Sequence, residues 1–125
     1  YSIEDDRWEN TNLESPMMSS MATCVHNGLI YFGGGKNQNW NKVSDFYSFD
    51  ISLNKIIKKA NMLIARTTHQ LVVINDYIYV YGGFDEAGNG ILNIDRYDIK
   101  NDQWSSISKT PGSISKTWPQ SIGVL

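Results

Sequence analysis

The chain has 125 residues, 41% of them hydrophobic, and a formal net charge of −2. This small charge argues against a nucleic-acid partner, and no apolar run approaches the roughly 20 residues that a membrane-spanning helix needs. Cys24 is the one cysteine, so a disulfide within the chain is excluded and a buried structural thiol is expected.

The first twenty residues are predicted to contain the end of one group of strands and the crossing to the next. Residues 1–3 are predicted to end one strand, and Trp8 to open another that runs to residue 14. Residues 15–20, which include Pro16, form the predicted crossing.

Two groups of four short, apolar or aromatic-rich segments follow, and each segment is predicted to be a β-strand. The groups comprise residues 21–26, 29–34, 43–50 and 55–58, and residues 70–74, 77–82, 92–97 and 103–107. Asn27-Gly28 and Asn75-Asp76 are hairpin-type turns within the two groups.

Two loops and the last crossing are longer than hairpins require. Residues 35–42 and 84–90 are polar, glycine-containing loops, and residues 109–119 form a last crossing. Residues 121–125 are predicted to lie in the innermost strand of a further group.

The two groups of strands are copies of one pattern. Gly34 and Gly82, which end the second strand of each group, are 48 positions apart, and the same spacing brings Asp50-Ile51 onto Asp98-Ile99. The register needs no gap and extends back to Tyr1. Four strands in a unit of about 50 residues, without a helical period, are typical of a β-propeller blade.

The linked residues of the second unit resemble the kelch repeat. That pattern is a strand ending in two glycines, then an aromatic–aspartate pair, then a tryptophan after a short turn. Gly82-Gly83, Tyr97-Asp98 and Trp104 match all of it. Arg66 stands where kelch units often carry an arginine before the innermost strand.

The first unit follows the pattern with two departures. Gly34-Gly35 and Phe49-Asp50 match, but Ile56 replaces the tryptophan and Met18 replaces the arginine. The resemblance implies an all-β fold, a partial kelch β-propeller with two complete four-stranded antiparallel blades and flanking strands of neighbouring blades.

The repeat also predicts how the chain is divided. Residues 1–14 are expected to end one blade, residues 15–62 and 63–110 to form two whole blades, and residues 111–125 to begin the next. Propellers close with about 4–8 blades, so further blades are expected to be needed for closure.

Two sets of repeated residues are expected to be structural. In each glycine pair, at least one residue is expected at positive φ or in tight contact with a neighbouring strand. Trp8 and Trp104 share one repeat position, and both are expected to be mostly buried between adjacent blades.

Strand direction alternates within a unit, so each crossing into an inner strand and each loop after a glycine pair lie at one end. We call this end the loop face. It contains Met18, Ser19, residues 36–41, Arg66, Thr67, Phe84, Asp85, Glu86 and Lys116. In kelch propellers it is the usual partner-binding face. A protein or peptide partner is expected to contact Lys36, Trp40, Arg66, Thr67, Phe84, Asp85 and Glu86, with the tryptophan, phenylalanine and arginine as exposed anchors.

The sequence gives no pattern for catalysis, metal binding or cofactor binding. Gly34-Gly35-Lys36 lacks the serine or threonine and the helix that follow in a phosphate-binding loop. His26 and His69 occupy different repeat positions without a second ligand at metal spacing. Asp85 and Glu86 are better interpreted as a solvated loop or a partner contact than as a calcium site. No cofactor and no enzymatic activity are therefore expected.

The resemblance implies a protein-interaction module. Many kelch propellers recognise substrates for cullin-type E3 ubiquitin ligases and follow a BTB domain, and residues 62–71 look most like that group. The alternatives are an actin- or cytoskeleton-binding kelch protein, or part of a kelch-like oxidase or sugar epimerase. The chain opens without a secretory signal, so a cytoplasmic location is expected.

Overall fold

The computed structural model describes residues 1–10, 13–16 and 18–109, and these residues form strands, turns and loops without a helix. The strands are β1 (Ala22–His26), β2 (Leu29–Gly33), β3 (Phe46–Asp50), β4 (Lys55–Lys59), β5 (Gln70–Ile74), β6 (Tyr77–Tyr81), β7 (Asn93–Asp98) and β8 (Gln103–Lys109). The all-β prediction is confirmed. The largest difference in bounds is at β3, which begins three residues later than predicted because the Val43 amide donates to the Gly35 carbonyl and closes the preceding loop.

The strands form two four-stranded sheets with one topology. The spatial order is β1-β2-β3-β4 in the first sheet and β5-β6-β7-β8 in the second. Every neighbouring pair is antiparallel, with one irregularity between Ile94 and Asp95 on β7. The prediction of two equivalent antiparallel sheets is confirmed, and the residues of the last predicted crossing and strand lie outside the described part.

Isolated bridges show that the crossings and the long loops share one end of each sheet. Ser19 pairs with Lys36 before the first sheet, and Thr67 pairs with Phe84 at the equivalent place before the second. The crossings and the loops after the glycine pairs therefore lie together at one end of each sheet, as predicted. Lys116 lies outside the residues that the structure describes.

The start of the chain differs from its prediction. Ser2 and Arg7 form a single antiparallel bridge, at the repeat position of the Asp50–Lys55 pair that opens the β3–β4 ladder. The ladder stops there, and residues 8–10 belong to no strand. Trp8 is 83% exposed and its ring lies 5.2 Å from that of Tyr1. The predicted burial of Trp8 is wrong, since no sheet of the described residues packs against its indole.

The glycine pairs behave as predicted. Gly34, Gly35, Gly82 and Gly83 all have positive φ, between 69° and 86°. A Cβ on Gly35 would lie 2.1 Å from the Ser19 carbonyl oxygen, and one on Gly83 would lie 2.4 Å from that of Thr67. The second glycine of each pair thus lets a crossing lie directly against the end of a strand.

Replacing Gly83 by alanine is expected to destabilise the fold more than the same change at Gly88. The two glycines have φ values of 86° and 83°, but only the Gly83 Cβ would meet a backbone atom, while the Gly88 Cβ has nothing within 4 Å. The strain of positive φ is therefore common to both variants. Overpacking at Gly83 should cost about 1–3 kcal/mol more. Urea unfolding of both variants measures the difference, and equal values would contradict the proposed close contact.

The two sheets pack through a cluster of aromatic rings. The Trp104 ring lies 5.0 Å from both Phe46 and Tyr97, and its Nε1 donates to the Ala60 carbonyl at 2.9 Å. Asp102 completes the contact, because its Oδ1 accepts hydrogen bonds from the Ala60 amide and the Tyr97 hydroxyl. The predicted position of Trp104 between adjacent sheets is confirmed.

The outer side of the first sheet carries an open apolar groove of about 290 Å³. Its lining includes Met21, Thr23, Ile30, Phe32, Phe49 and Ile56. These residues lie 48 positions before His69, Leu71, Ile78, Val80, Tyr97 and Trp104. Three of the latter, His69, Tyr97 and Trp104, contact the first sheet. The groove therefore occupies the position through which the second sheet packs on the first.

Candidate protein-interaction face

Trp40 is the most exposed large hydrophobic residue of the described loop face. It lies in a turn in which Asn37 Oδ1 accepts hydrogen bonds from the Asn39 and Asn41 amides at 2.9 and 3.1 Å. Trp40 is 75% exposed and has a φ of 64°. Gly88 is its repeat equivalent, with a φ of 83°. The first loop thus has a tryptophan at a position with the positive φ that glycine adopts easily. This backbone conformation is strained for a bulky residue.

Lys36 lies beside this tryptophan. Its Nζ is 5.8 Å from the centre of the Trp40 ring, within the range of a cation–π contact. No carboxylate of the described residues lies within ion-pair distance of Lys36. A groove of about 410 Å³ is lined by these two residues and by Pro16 and Met18 of the first crossing.

The acidic residues of the second loop contact the protein itself. Asp85 Oδ1 accepts a hydrogen bond from the Asn89 amide at 2.9 Å, and Glu86 Oε2 accepts one from the Lys42 amide at 3.0 Å. The Lys42 ammonium donates to the Asp85 carbonyl. Phe84 is half-buried and its backbone bridges both Thr67 and Gly90. Part of the predicted binding loop therefore ties the second sheet to the first.

Arg66 is not exposed, so that part of the sequence prediction is wrong. Its side chain is 0% exposed, its Nη2 lies 3.0 Å from Asp95 Oδ2, and its Nη1 donates to the Gly82 carbonyl at 3.1 Å. Burial lowers the pKa of the guanidinium, and Asp95 opposes this shift. Thr67 is also buried, at 5% exposure. Both residues are therefore buried beneath the surface of the loop face and do not form part of it.

Asp95 was absent from the sequence prediction, although the repeat contains a signal for it. Arg66 corresponds to Met18, and Asp95 corresponds to Tyr47. One unit thus has an arginine and an aspartate where the other has a methionine and a tyrosine. Two oppositely charged residues that appear together in one copy and are both missing from the other indicate that their side chains pair with each other.

His69 joins the two sheets under the loop face. Its Nε2 donates to the Gly33 carbonyl at 3.0 Å, and a Cβ on Gly34 would lie 2.4 Å from the ring. Burial, with a smaller contribution from the positive charge of Arg66, lowers the pKa of His69 from 6.5 to about 4. The imidazole is therefore neutral at pH 7 and is a packing group.

Acidification is expected to destabilise the fold through His69. Unfolded His69 binds a proton below pH 6.5, whereas the folded protein resists protonation down to about pH 4. The stability that the neutral His69 imidazole contributes to the fold is therefore complete above pH 6.5 and is lost as the pH falls toward 4. The free energy of unfolding should decrease by about 1–2 kcal/mol between pH 7 and 5. Urea unfolding at both pH values measures the loss. A His69→Gln variant should lose this part of the pH dependence, and an unchanged dependence would contradict the assignment.

The surroundings of Cys24 and the arrangement of possible metal ligands bear on the chemistry of the described residues. Burial raises the pKa of the Cys24 thiol to about 12, which disfavours the nucleophilic thiolate. Within residues 1–10, 13–16 and 18–109, no group of three or more histidine, cysteine, aspartate or glutamate residues is arranged to hold a metal ion. The same residues form no helix that could span a membrane.

Comparisons with known proteins agree with the architecture. The Kelch motif family matches residues 65–111. Beta-scruin of Limulus polyphemus is 31% identical over 112 residues, or 85% of the chain and 12% of that protein. Kelch-like protein 35 of Mus musculus is 29% identical over 116 residues, or 92% of the chain and 19% of that protein.

A human relative, Kelch repeat and BTB domain-containing protein 2, is 40% identical over 72 residues, or 55% of the chain and 11% of that protein. The chain thus spans less than a fifth of the length of each of these curated relatives. The motif match, the relatives and the two sheets of equal topology together show that the chain belongs to the kelch-repeat family and contains two blades of a kelch β-propeller.

Proposed function

We propose that the chain is a protein-interaction module that binds a protein or peptide at the loop face, with Trp40 as its anchor. The observation that carries this proposal is a tryptophan that is 75% exposed at a φ of 64°. Backbone strain at an exposed aromatic residue does not help folding, and strained residues cluster at functional sites. Tryptophan is also enriched among the residues that dominate binding energy.

The other proposed contacts surround this anchor. The Lys36 ammonium lies over the Trp40 ring. Phe84, Asp85 and Glu86 belong to the neighbouring loop, which Lys42 joins to the first blade. The Arg66 carbonyl accepts a hydrogen bond from the Gly35 amide, and the Thr67 backbone pairs with Phe84, so both buried residues position the two loops. A rigid scaffold that carries such loops is the usual arrangement for recognition.

The biological setting that we propose is substrate recognition by an adaptor of a cullin-type E3 ubiquitin ligase in the cytoplasm. Its support is the similarity to Kelch-like protein 35 and to Kelch repeat and BTB domain-containing protein 2. The alternative remains an actin- or cytoskeleton-binding kelch protein. Neither setting requires nucleic acid, a membrane or an enzymatic reaction by these two blades.

We also propose that further blades cover the outer side of the first blade. The support is the open groove lined by Met21, Phe32, Phe49 and Ile56, whose repeat equivalents include residues that pack between the two blades. A blade in this position would remove the apolar groove from water, as the second blade does for the other side of the first.

Affinity purification from cells with the full-length protein tests the proposed binding face. A partner recovered with the wild-type protein should be lost with Trp40→Ala. Leu53→Ala is a matched control, because Leu53 is 71% exposed in the β3–β4 turn at the opposite end of the blade. Binding that survives Trp40→Ala but not Leu53→Ala would show that the face is wrongly assigned.

The same purification separates the two settings. A ligase adaptor should co-purify with a cullin and should promote ubiquitination of the partner lost with Trp40→Ala. A cytoskeletal protein should instead sediment with actin filaments in a Trp40-dependent manner.

A further inference from the structure

The sequence contains two asparagine–glycine pairs, and the structure surrounds them differently. Asn27-Gly28 is the turn between β1 and β2, whereas Asn89-Gly90 lies in the long loop after β6. In such a pair the backbone nitrogen of the glycine readily approaches the asparagine side chain, because glycine has no Cβ beside that nitrogen. The two pairs therefore share one intrinsic chemistry and differ in what restrains it.

The Asn27-Gly28 turn is open to water. Both residues are exposed, their φ values are 49° and 76°, and a Cβ on Gly28 would have nothing within 4 Å. The ladder between β1 and β2 ends at the His26–Leu29 pair, so the two turn residues lie beyond it. Among the described residues, neither the Asn27 side chain nor the Gly28 amide forms a hydrogen bond. No described group therefore holds the Asn27 side chain away from the following nitrogen.

Asp85 restrains the second pair on both sides of Asn89. The Asn89 amide donates to Asp85 Oδ1 at 2.9 Å, and the Asp85 amide donates to the Asn89 carbonyl at 3.0 Å. The Asn89 carbonyl belongs to the peptide plane that contains the Gly90 nitrogen. These bonds therefore oppose the rotation that brings this nitrogen to the Asn89 side chain, and the loop must open locally before the pair can react.

The equivalent turn of the second blade lacks the glycine. Asn75-Asp76 aligns with Asn27-Gly28. The Asp76 carboxylate lies 3.5 Å from His26 Nε2 and 3.1 Å from Lys100 Nζ, so its side chain is held in place. A side chain beside the backbone nitrogen hinders the approach of that nitrogen to the asparagine. Of the two equivalent turns, only the one in the first blade thus combines asparagine, glycine and exposure.

We propose that Asn27 is a site of spontaneous deamidation. The Gly28 backbone nitrogen attacks Cγ of the Asn27 amide, and the new C–N bond closes a cyclic succinimide. The side-chain nitrogen leaves as ammonia and takes the proton of the Gly28 nitrogen. Water then opens the ring at either carbonyl and yields aspartate or isoaspartate. The net reaction converts an amide and water into a carboxylic acid and ammonia, without oxidation or reduction. This inference is independent of the proposed function.

Isoaspartate at this position lengthens the backbone of the turn. Its chain runs through Cβ, which adds a carbon between His26 and Leu29, and the length of a hairpin turn sets the register of the strands that it joins. β1, which begins this hairpin, lies beside β5 of the second blade. Formation of isoaspartate should therefore loosen the β1–β2 hairpin and lower the stability of the fold, at the end opposite the loop face.

Peptide mapping by mass spectrometry, after incubation of the full-length protein at mildly alkaline pH, measures the reaction. Conversion at Asn27 should be at least about tenfold faster than at Asn89, because two hydrogen bonds oppose the reaction at Asn89. Fragmentation between Cα and Cβ distinguishes isoaspartate from aspartate. The same incubation in concentrated urea is the control, since both pairs should react at similar rates once the structure is lost.

Asn27→Gly separates the modification from other effects of incubation. Glycine keeps the positive φ of the turn and has no side-chain amide. After equal incubation, the wild-type protein should contain a fraction with a lower melting temperature that grows with the isoaspartate content at Asn27, whereas Asn27→Gly should remain uniform. Asn27→Asp carries the acid without lengthening the backbone, and it should melt closer to the fresh wild-type protein than the isoaspartate fraction does.

Contrary outcomes overturn defined parts of the inference. No conversion at Asn27, or equal rates at Asn27 and Asn89 in the folded protein, exclude the turn as a favoured modification site. A rate difference that persists in urea would show that the surroundings of Asn89 do not protect it. Isoaspartate at Asn27 without a change in melting temperature would refute the loosened hairpin. None of these results alters the proposed binding through Trp40, which lies at the other end of the blade.

Discussion

Replacing Arg66 by methionine is expected to lower the free energy of unfolding by about 3–5 kcal/mol, because it leaves the Asp95 carboxylate buried without its counter-charge. Asp95 is 1% exposed, and its Oδ2 lies 3.0 Å from Arg66 Nη2. The Gly82 carbonyl also loses a hydrogen bond from Nη1. Denaturant unfolding of the wild-type and variant proteins at pH 7 measures the loss.

The double variant Arg66→Met with Asp95→Tyr is expected to recover most of this stability. It reproduces the pair Met18 and Tyr47, with which the first blade already folds. Arg66 Nε and Asp95 Oδ1 have no hydrogen-bond partner among the described residues. An ion pair that is incompletely hydrogen-bonded contributes little net stability relative to apolar residues of similar size.

An exposed ion pair provides the control for this cycle. Lys100 Nζ lies 3.1 Å from Asp76 Oδ2 at the opposite end of the blade, and the lysine side chain is 73% exposed. Lys100→Met should therefore change stability far less than Arg66→Met, because an exposed ion pair contributes little. A comparable loss at Lys100, or a double variant as unstable as Arg66→Met, would contradict the role assigned to the buried pair.

The location and the burial of Arg66 show which part of the site could be predicted from one sequence. Its position on the loop side of the blade followed from the repeat, but its burial depended on Asp95, 29 residues later. A local pattern gives the end of the sheet at which a residue lies. It does not give the direction of a long side chain, which is decided by a partner that is distant in sequence.

The strands and glycine pairs could be predicted because the repeat states them twice. The 48-residue register predicted two equivalent antiparallel sheets and, in each glycine pair, at least one residue at positive φ or in tight contact with a neighbouring strand, since each copy supports the other. The hydrogen bond from the Lys42 amide to Glu86 could not be found in this way, because it joins non-equivalent positions of the two blades. Contacts between copies are not repeated within a copy.

Trp8 and Trp104 also show the difference between what a repeat position encodes and what depends on a contact with another blade. They share a repeat position, yet Trp8 is 83% exposed and the Trp104 indole donates to Ala60 in the preceding blade. The repeat position specifies a surface that packs against another blade. Whether the indole is buried depends on the presence of that blade, and only the surface is encoded locally.

Replacing Trp104 by alanine is therefore expected to destabilise the fold by about 3 kcal/mol, at the lower end of the range for buried tryptophan because part of the indole is exposed. The variant loses ring contacts with Phe46 and Tyr97 and leaves the Ala60 carbonyl without its donor. Trp104→Ile, which copies Ile56 of the first blade, should lose less because it keeps apolar volume between the blades.

Trp8→Ala is the matched control, since it removes the same side chain from the same repeat position where no described sheet covers it. Its effect on the free energy of unfolding should stay within about 0.5 kcal/mol. Denaturant unfolding of the three variants gives the order Trp104→Ala, Trp104→Ile, Trp8→Ala from largest to smallest loss. An equal loss for Trp8→Ala and Trp104→Ala would mean that the second blade does not derive its stability from packing on the first. It would also remove the reason to expect another blade against the groove formed by Phe49 and Ile56, because that expectation depends on the same contact being repeated.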